Sequence, residues 1–231
     1  MNKLALIVGA SRGLGLGLTA ELASRGWQVI ATARDLAQAD ELQQLAATEA
    51  SVTLESVDLN DAASLADLKR RLAGRLFDLV LLNAGVIGPD HQSVEEVTAA
   101  DIGALMMINA IAPVHLARLL VPQVRSQTGI VAFMTSRMGS IADNLSGGSD
   151  LYRASKAALN SLTRSFAATA IGNHGLTVLS LHPGWVRTAM GGPAAPLDVQ
   201  TSVRGVADVL EQQAGQQTHA FLDYQGKSIP W

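Results

Sequence analysis

The chain has no cysteine among its 231 residues, so disulfides and thiol chemistry are excluded. Seven prolines and no low-complexity run argue against disorder. The formal net charge of -3 gives no reason to expect nucleic acid as a partner. The densest basic stretch, Lys69 to Arg75, ends a helix-like pattern, where cations oppose the negative end of the helix dipole.

The first apolar run of the chain, LALIVGA, is too short to span a membrane and leads directly into a glycine turn. We therefore expect neither a signal peptide nor an anchor, no membrane partner and a cytoplasmic protein. The 48% of apolar residues supports a substantial core. A length of 231 residues predicts a single domain over residues 1–231.

Short apolar runs alternate with longer helical patterns along the whole chain. The helical patterns include a long one from about Asp101 to Arg125 and another from about Leu151 to Ala170. Continuous apolar strands separated by helices are typical of parallel pairing with helices on both faces. The sequence thus predicts an α/β fold, a single doubly wound Rossmann-type domain with a seven-stranded parallel sheet. The strand candidates are KLALIV, WQVIATA, VTLESV, LFDLVLL, GIVAFMT, LTVLSLH and HAFLDY.

A glycine turn, GASRGLG, follows the first strand and leads into a helix. Gly9 allows the tight turn, Gly13 lets backbone approach a pyrophosphate, and Gly15 permits close packing of the helix. The helix N-terminus supplies N–H donors for phosphates. This arrangement favours a dinucleotide site, although glycine turns after strands also occur without one.

The end of the second strand, ATARD, predicts which dinucleotide is bound. An acidic residue there binds the 2′-hydroxyl of NAD, whereas an arginine accommodates the 2′-phosphate of NADP. Arg34 stands at this end and Arg12 lies in the glycine turn. Asp35 is the one nearby carboxylate, and it has an alternative use as a cap of the following helix. NADP(H) is therefore the predicted cofactor.

Further polar residues follow the later strands. Asp58 comes after the third strand and Asn83 after the fourth, and either could serve only as a loop or turn residue. Asn109 lies inside the long apolar helical pattern, where a buried amide needs partners and could kink the helix around a water.

The stretch YRASK places one of only two tyrosines four residues before one of only four lysines. In a helix, Tyr152 and Lys156 lie on the same face. A nearby ammonium favours the phenolate and lowers the tyrosine pKa, so the pair is a candidate acid/base device. Tyr224 has no lysine four residues on and lies in a strand pattern.

Taken together, these motifs resemble the short-chain dehydrogenase/reductase family over essentially the whole chain. GASRGLG, Asp58, NAG, Asn109, Ser136, YRASK and PGWVRT occur in the order of that family. The stretches SRMGSI and HPGWVRTAMGG and the end FLDYQGKSIPW are similar to the C-factor-like and sniffer-like carbonyl reductases. The resemblance implies hydride transfer between a nicotinamide cofactor and a small carbonyl or alcohol substrate. A catalytically weak NADP-binding regulatory or signalling protein is the alternative.

The resemblance also implies residue roles. Tyr152 would be the general acid/base, Lys156 would lower its pKa, Ser136 would hold the substrate oxygen, and Asn109 would position a water. Ser140 has the more usual sequence distance from Tyr152, but Ser136 stands at the strand end, which favours Ser136. The implied cofactor-binding residues are Gly9, Ser11, Arg12, Gly13, Leu14, Gly15, Arg34, Asp58, Leu59, Asn83, Ala84, Gly85, Tyr152, Lys156, Pro183, Gly184, Val186 and Thr188.

Two departures from the family pattern carry expectations of their own. Val8 occupies a place where many members have threonine, so one hydrogen bond of the glycine turn is expected to be absent. The interval from Ser136 to Tyr152 is longer than usual, and the extra residues are expected to bulge as a glycine-rich loop. The family often pairs through its two long helices, which predicts a homodimer or homotetramer. No metal site is expected.

Overall fold

The computed structural model describes residues 3–231 and contains one seven-stranded sheet in the order β3-β2-β1-β4-β5-β6-β7. Every neighbouring pair of strands is parallel. The order reverses between β1 and β4, which leaves a crevice at the carboxyl ends of those two strands. The strands are β1 Leu4–Val8, β2 Gln28–Ala33, β3 Val52–Ser56, β4 Leu79–Leu82, β5 Ile130–Met134, β6 Thr177–His182 and β7 His219–Asp223.

Helices connect these strands as parallel pairing requires. Three single 3-10 turns supplement them at Leu36–Gln38, Val121–Gln123 and Arg137–Gly139. A five-residue π-helical turn, Met107–Ile111, separates the fourth and fifth helices. The helices are α1 Gly13–Ser24, α2 Asp40–Thr48, α3 Ala62–Arg71, α4 Ala99–Met106, α5 Ala112–Leu120, α6 Asp150–His174 and α7 Val199–Gln213.

The sheet separates two apolar cores because successive strand residues point to opposite faces. Ile7 of β1 packs with α1, α2 and α7 on one face. Its neighbour Leu6 packs with α3, α5 and α6 on the other. Phe133 and Phe166 meet edge to face in this second core, with ring centroids 5.6 Å apart. The predicted doubly wound parallel sheet is confirmed.

The long helical pattern predicted over 101–125 is interrupted in the structure. It divides into α4, the π-helical turn, α5 and a final 3-10 turn. The interruption contains Asn109, where the sequence indicated a kink. The other long pattern, predicted over 151–170, is one continuous helix, and α6 extends beyond its predicted end at Ala170 to His174.

The most apolar 18-residue window of the stretch Ala99–Gln123 has a mean hydropathy of 1.7, which by length and composition alone would allow the stretch to cross a membrane. Half of its most apolar window is buried inside the fold. Leu116 and Leu120 belong to the core beside α6. The apolar character of this stretch is thus explained by its place as a core helix.

Candidate active site

A cleft of about 950 Å³ opens at the carboxyl ends of the strands. Its walls come from the glycine turn after β1, the ends of β2 and β4, the 3-10 turn after β5, the first turns of α6 and the loop after β6. Ligands of doubly wound sheets bind at this position. The cleft is therefore the candidate active site.

The cleft brings together almost all the residues that the sequence predicts for a site. Two do not line it: Gly15 is buried against the glycine turn, and Asn109 is fully buried behind the loop that follows β4. The predicted residues that line it are Gly9, Ser11, Arg12, Gly13, Leu14, Arg34, Asp58, Leu59, Asn83, Ala84, Gly85, Ser136, Tyr152, Lys156, Pro183, Gly184, Val186 and Thr188.

Close backbone approach explains the glycines of the turn. Gly9 has a φ of 89°, and a Cβ there would stand 2.7 Å from Ala84. A side chain at Gly15 would collide with the carbonyl oxygen of Gly9. Asn83 donates from Nδ2 to the same oxygen over 2.7 Å, so it ties the end of β4 to the turn. Asn83 thus serves as a turn residue, one of the two roles that the sequence left open, and it also lines the cleft.

A side chain at the end of β2 supplies the glycine turn with a hydrogen bond in place of the one that Val8 cannot make. The amide of Gly9 donates to Oγ1 of Thr32, at the end of β2, over 3.2 Å. The carbonyl of Val8 also accepts from the amides of Asn83 and Ala84, each over 2.9 Å. The turn is therefore held between β2 and β4 without a threonine before Gly9.

The cleft offers positive charge and free amides to an anion. Arg12 precedes α1 without a side-chain cap, and the first turn of α1 contains no acidic residue. Arg12 and Arg34 are both exposed, and neither is paired with a carboxylate within residues 3–231. Asp35 is occupied as a cap, accepting from the amide of Ala37 and from Gln38, each over 2.9 Å. The glycine turn, free amides and two cations fit a dinucleotide carrying a 2′-phosphate.

Tyr152 and Ser136 are two buried polar side chains of the cleft, on the wall that β5 and α6 form. Tyr152 is nine-tenths buried, and burial raises the pKa of its phenol to about 12. The nearby hydroxyl of Ser136 lowers that pKa, but by less than burial raises it. Ser136 stands directly at the end of β5, and its Oγ accepts from the amide of Met138 over 3.1 Å.

Lys156 lies behind the tyrosine, one helical turn along α6. Its ammonium is 5.7 Å from the centre of the Tyr152 ring and donates to the carbonyl oxygen of Met134 over 3.0 Å. Burial lowers the pKa of Lys156 to about 8. The sequence predicted that this ammonium lowers the tyrosine pKa. In the chain alone burial of the phenol has the largest effect, and the pKa of Tyr152 is raised.

Asn109 acts as a clamp in the structure. Its Oδ1 accepts from the amide of Val86 over 2.8 Å, and its Nδ2 donates to the carbonyl of the same residue over 2.8 Å. Nδ2 also reaches Oγ of Ser155 over 3.0 Å. A Cβ on Gly85 would stand 3.3 Å from both Asn109 Oδ1 and Lys156 Nζ. A larger residue at Gly85 would force the amide or the ammonium to shift by a few tenths of an ångström.

Ser140 does not reach the cleft. It is buried, and its Oγ accepts from the amide of Asp143 over 3.0 Å inside the loop that precedes α6. This loop bulges outward as the sequence predicted, with Leu145 92% exposed. Arg153 fastens its far side by donating to the carbonyl of Gly148 over 2.8 Å.

Sequence reasoning missed three side chains that hold the site together. Thr32 supports the glycine turn, Ser155 bonds Asn109, and Gln92 accepts from the amide of Tyr152 over 2.9 Å. Ser155 lies inside the YRASK stretch, so the sequence indicated that it is near the site. It did not indicate that Ser155 bonds to Asn109. Thr32 and Gln92 act on residues 23 and 60 positions away, which no local pattern reveals. No cluster of metal-ligating side chains occurs among residues 3–231.

The family model, the curated relatives and the solved structures all identify the same family. The family model for short chain dehydrogenase matches residues 3–196. The chain is 41% identical to the C-signal of Myxococcus xanthus over 155 residues, which are 67% of this chain and 92% of that protein.

Two solved structures extend the likeness to the whole chain. A carbonyl reductase from Pseudomonas aeruginosa PAO1 in complex with NADP is 42% identical and has a TM-score of 0.91, with 100% of each chain covered. The carbonyl reductase Sniffer of D. melanogaster is 30% identical with a TM-score of 0.87, again with 100% of each chain covered. With its motifs in order around one cleft, this chain belongs to the short-chain dehydrogenase family of oxidoreductases.

Proposed function

We propose that this chain is an NADP(H)-dependent carbonyl reductase that converts a small carbonyl compound to an alcohol. The observation that carries the proposal is the buried pair Tyr152 and Ser136 on the wall of a cleft that also holds Arg12 and Arg34. The carbonyl reductase of Pseudomonas aeruginosa with bound NADP, similar over the whole chain, supports it.

The cofactor would lie across the β1–β4 crevice. The free amides at the start of α1 would bind its pyrophosphate, while Arg12 and Arg34 would bind the 2′-phosphate. Asp58 and Asn83 would contact the adenosine, and the segment from Pro183 to Thr188 would frame the nicotinamide, as the family resemblance implies. When bound, the reduced nicotinamide supplies the hydride.

The chain's own residues supply the proton and hold the substrate. Ser136 donates a hydrogen bond to the carbonyl oxygen and keeps it next to the phenol of Tyr152. Tyr152 gives its proton to that oxygen as negative charge develops there. The ammonium of Lys156 then stabilises the phenolate that remains.

The high pKa of Tyr152 favours the reductive direction. A phenol with a pKa of about 12 is protonated throughout the neutral range and is ready to act as an acid. Alcohol oxidation needs the phenolate, which burial disfavours. We therefore assign carbonyl reduction as the reaction that runs best at neutral pH.

Oxidation of NADPH with a panel of aldehydes, ketones and quinones tests this function. We expect turnover by the wild type and its loss in Tyr152→Phe, with NADPH still bound because the glycine turn, Arg12 and Arg34 are untouched. Tyr224→Phe is the matched control, since Tyr224 lies outside the cleft lining. Equal turnover by the wild type and Tyr152→Phe would refute the assignment of the acid.

A regulatory role is the second candidate, and the 41% identity with the C-signal of Myxococcus xanthus favours it. In that case the cleft would bind NADP(H) without efficient turnover. Cofactor binding by calorimetry together with no turnover across the whole panel would support this role. A buried tyrosine and lysine pair has no evident use in a protein that only binds, which is why the enzyme is the leading proposal.

A further inference from the structure

The side chain of Gln92 connects two parts of the cleft wall. Gln92 lies in the irregular segment between β4 and α4. Its Nε2 donates to the carbonyl oxygens of Ile87, over 2.9 Å, and Pro89, over 2.7 Å. Its Oε1 accepts from the backbone amide of Tyr152 over 2.9 Å. One amide group thus uses its donor on its own loop and its acceptor on α6.

The acceptor bond compensates for a missing helix cap. The first amides of a helix have no partner within it and usually bond to the side chain of the N-cap residue. Ser149 is the N-cap of α6, but its side chain makes no cap bond, and its backbone is left-handed with a φ of 54°. The amide of Tyr152, third in the helix, is capped instead by Gln92 from 60 residues away.

The backbone at Gln92 indicates that this arrangement is held by its surroundings. Its φ is 51°, in the left-handed region that side chains other than glycine and asparagine adopt rarely. Such conformations persist where neighbouring contacts over-determine them, and they cluster at functional sites. The side chain of Gln92 bonds to two carbonyl oxygens of its own loop and to an amide of α6, so it holds the loop against the helix.

We propose that Gln92 is a positioning residue for Tyr152. It caps the first turn of α6, which holds the phenol in place beside Ser136, and at the same time it anchors Ile87, which lies on another segment of the cleft wall. The effect on turnover rests on the proposed function, whereas the effect on the position of Tyr152 does not.

Kinetics of three variants separate positioning from general stability. In Gln92→Met, which removes donor and acceptor, we expect kcat to fall on the order of ten-fold to a hundred-fold with KM for NADPH unchanged, because small misplacements of a catalytic group are costly. Gln92→Glu keeps an acceptor at the helix N-terminus, where negative charge is favourable. Its carboxylate also faces the carbonyl oxygens of Ile87 and Pro89 without a donor, so it should recover only part of kcat. Thr98→Ala is the matched control, because it removes the cap of α4 close by without touching α6.

A measurement without turnover tests the same contact. With two tyrosines in the chain, selective isotope labelling gives two amide and two ring signals in NMR spectra. In Gln92→Met we expect the Tyr152 amide to exchange faster with solvent and its ring signal to shift, while the Tyr224 signals stay unchanged. In Gln92→Glu the Tyr152 amide should stay protected, and in Thr98→Ala all Tyr152 signals should match the wild type.

The possible outcomes decide between the alternatives. An unchanged Tyr152 amide in Gln92→Met would show that Gln92 does not cap the helix and would overturn the proposal. Faster amide exchange with an unmoved ring signal and unaltered kcat would reduce Gln92 to a structural cap and would also overturn it. If the wild type has no reductase activity at all, the proposed function fails, and the ring signal alone decides the role of Gln92.

Discussion

At Tyr152 and Lys156, burial opposes the ionisation of both side chains. The pKa of the phenol rises to about 12, and the pKa of the ammonium falls to about 8. The acid of the proposed reaction is thus protonated over the whole working range. The group that titrates near neutral pH is the lysine, whose positive charge the product phenolate needs.

The pH dependence of carbonyl reduction should therefore follow Lys156. Below pH about 8 the lysine is charged and kcat is level, and above it kcat falls as the lysine loses its proton. Steady-state kcat measured between neutral and alkaline pH checks this. Lys156→Arg, which stays charged at every such pH, should lose the alkaline fall even if its kcat is lower. A reductive kcat that rises through pH 8 would contradict the assignment.

Ser136 and Ser140 offer a test of which hydroxyl holds the substrate. Ser136 contacts Tyr152 and lines the cleft, whereas the hydroxyl of Ser140 accepts from Asp143 within its own loop. Loss of a hydrogen-bond donor to a developing oxyanion costs about 10²–10³ in kcat. We expect that loss for Ser136→Ala and a much smaller one for Ser140→Ala, with NADPH affinity unchanged in both. The reverse order in steady-state kinetics would give the role to Ser140.

Cofactor preference should depend on Arg34. Its guanidinium is exposed in the cleft and has no carboxylate partner within residues 3–231, while the nearby Asp35 is occupied as a cap. A charge-assisted hydrogen bond is worth about 1.5–3 kcal/mol, so Arg34→Asp should weaken NADPH binding roughly ten- to a hundred-fold. NADH binding should change far less. Arg70→Asp, on the exposed side of α3, controls for net charge, and calorimetric titration measures the affinity of the wild type and of both variants for NADPH and NADH. Preference of the wild type for NADH would refute the assignment.

The strands and helices could be predicted from the sequence because each has an unbroken pattern. Seven apolar runs became seven strands, since residues buried on both faces of a sheet must be apolar. The π-helical turn at Met107–Ile111 could not be located, because the residues around it are apolar throughout and its extra residue leaves no gap in the pattern. What the sequence did show was Asn109, a polar side chain that needed partners in an apolar setting.

Asn109 connects three elements, so its loss should affect both stability and turnover. It pairs with both backbone groups of Val86 and with Ser155 of α6. Asn109→Ala leaves these groups without partners, and a buried group left unbonded costs about 1–3 kcal/mol. Urea unfolding should show a decrease of at least that size, with a lower kcat because Lys156 borders the same segment.

Asn109→Asp provides the graded comparison. Its carboxylate still accepts from the amide of Val86 but no longer donates to the carbonyl oxygen or to Ser155. An unfolding free energy of Asn109→Ala equal to that of the wild type would show that water replaces the clamp.

The candidate site could be predicted almost completely at the ends of strands, where backbone geometry dictates residue type. Gly9 has a positive φ and packs against Ala84, so glycine is required there and is visible in the sequence. The supports of the site were not predictable in the same way. Gln92 reaches Tyr152 across a loop whose course depends on tertiary packing, and a lone glutamine in a loop carries no pattern.

For the whole molecule, the single domain remains a prediction of chain length, and so does the assembly into dimers or tetramers. The structure clarifies which residues could meet in an assembly. Leu105, Leu159 and Phe166, apolar residues of the two long helical patterns, are buried in the chain's own fold. The apolar residues left outside are Met107, 42% exposed, and Ile111, 46% exposed, on the π-helical turn.

Met107 and Ile111 should therefore lie in the interface of a homodimer or of a tetramer with two-fold symmetry. They are four residues apart on the π-helical turn, which packs beside α6, so a two-fold axis would bury them against the same surface of a second copy. We expect light scattering at micromolar concentration to give a dimeric or tetrameric mass for the wild type and a smaller mass for Ile111→Glu, because an interface that buries an unpaired carboxylate is destabilised. Leu76→Glu is the control, since Leu76 is 43% exposed ahead of β4 and outside both long helical patterns. A monomeric wild type, or equal dissociation by the two variants, would show that these helices do not form the contact between copies.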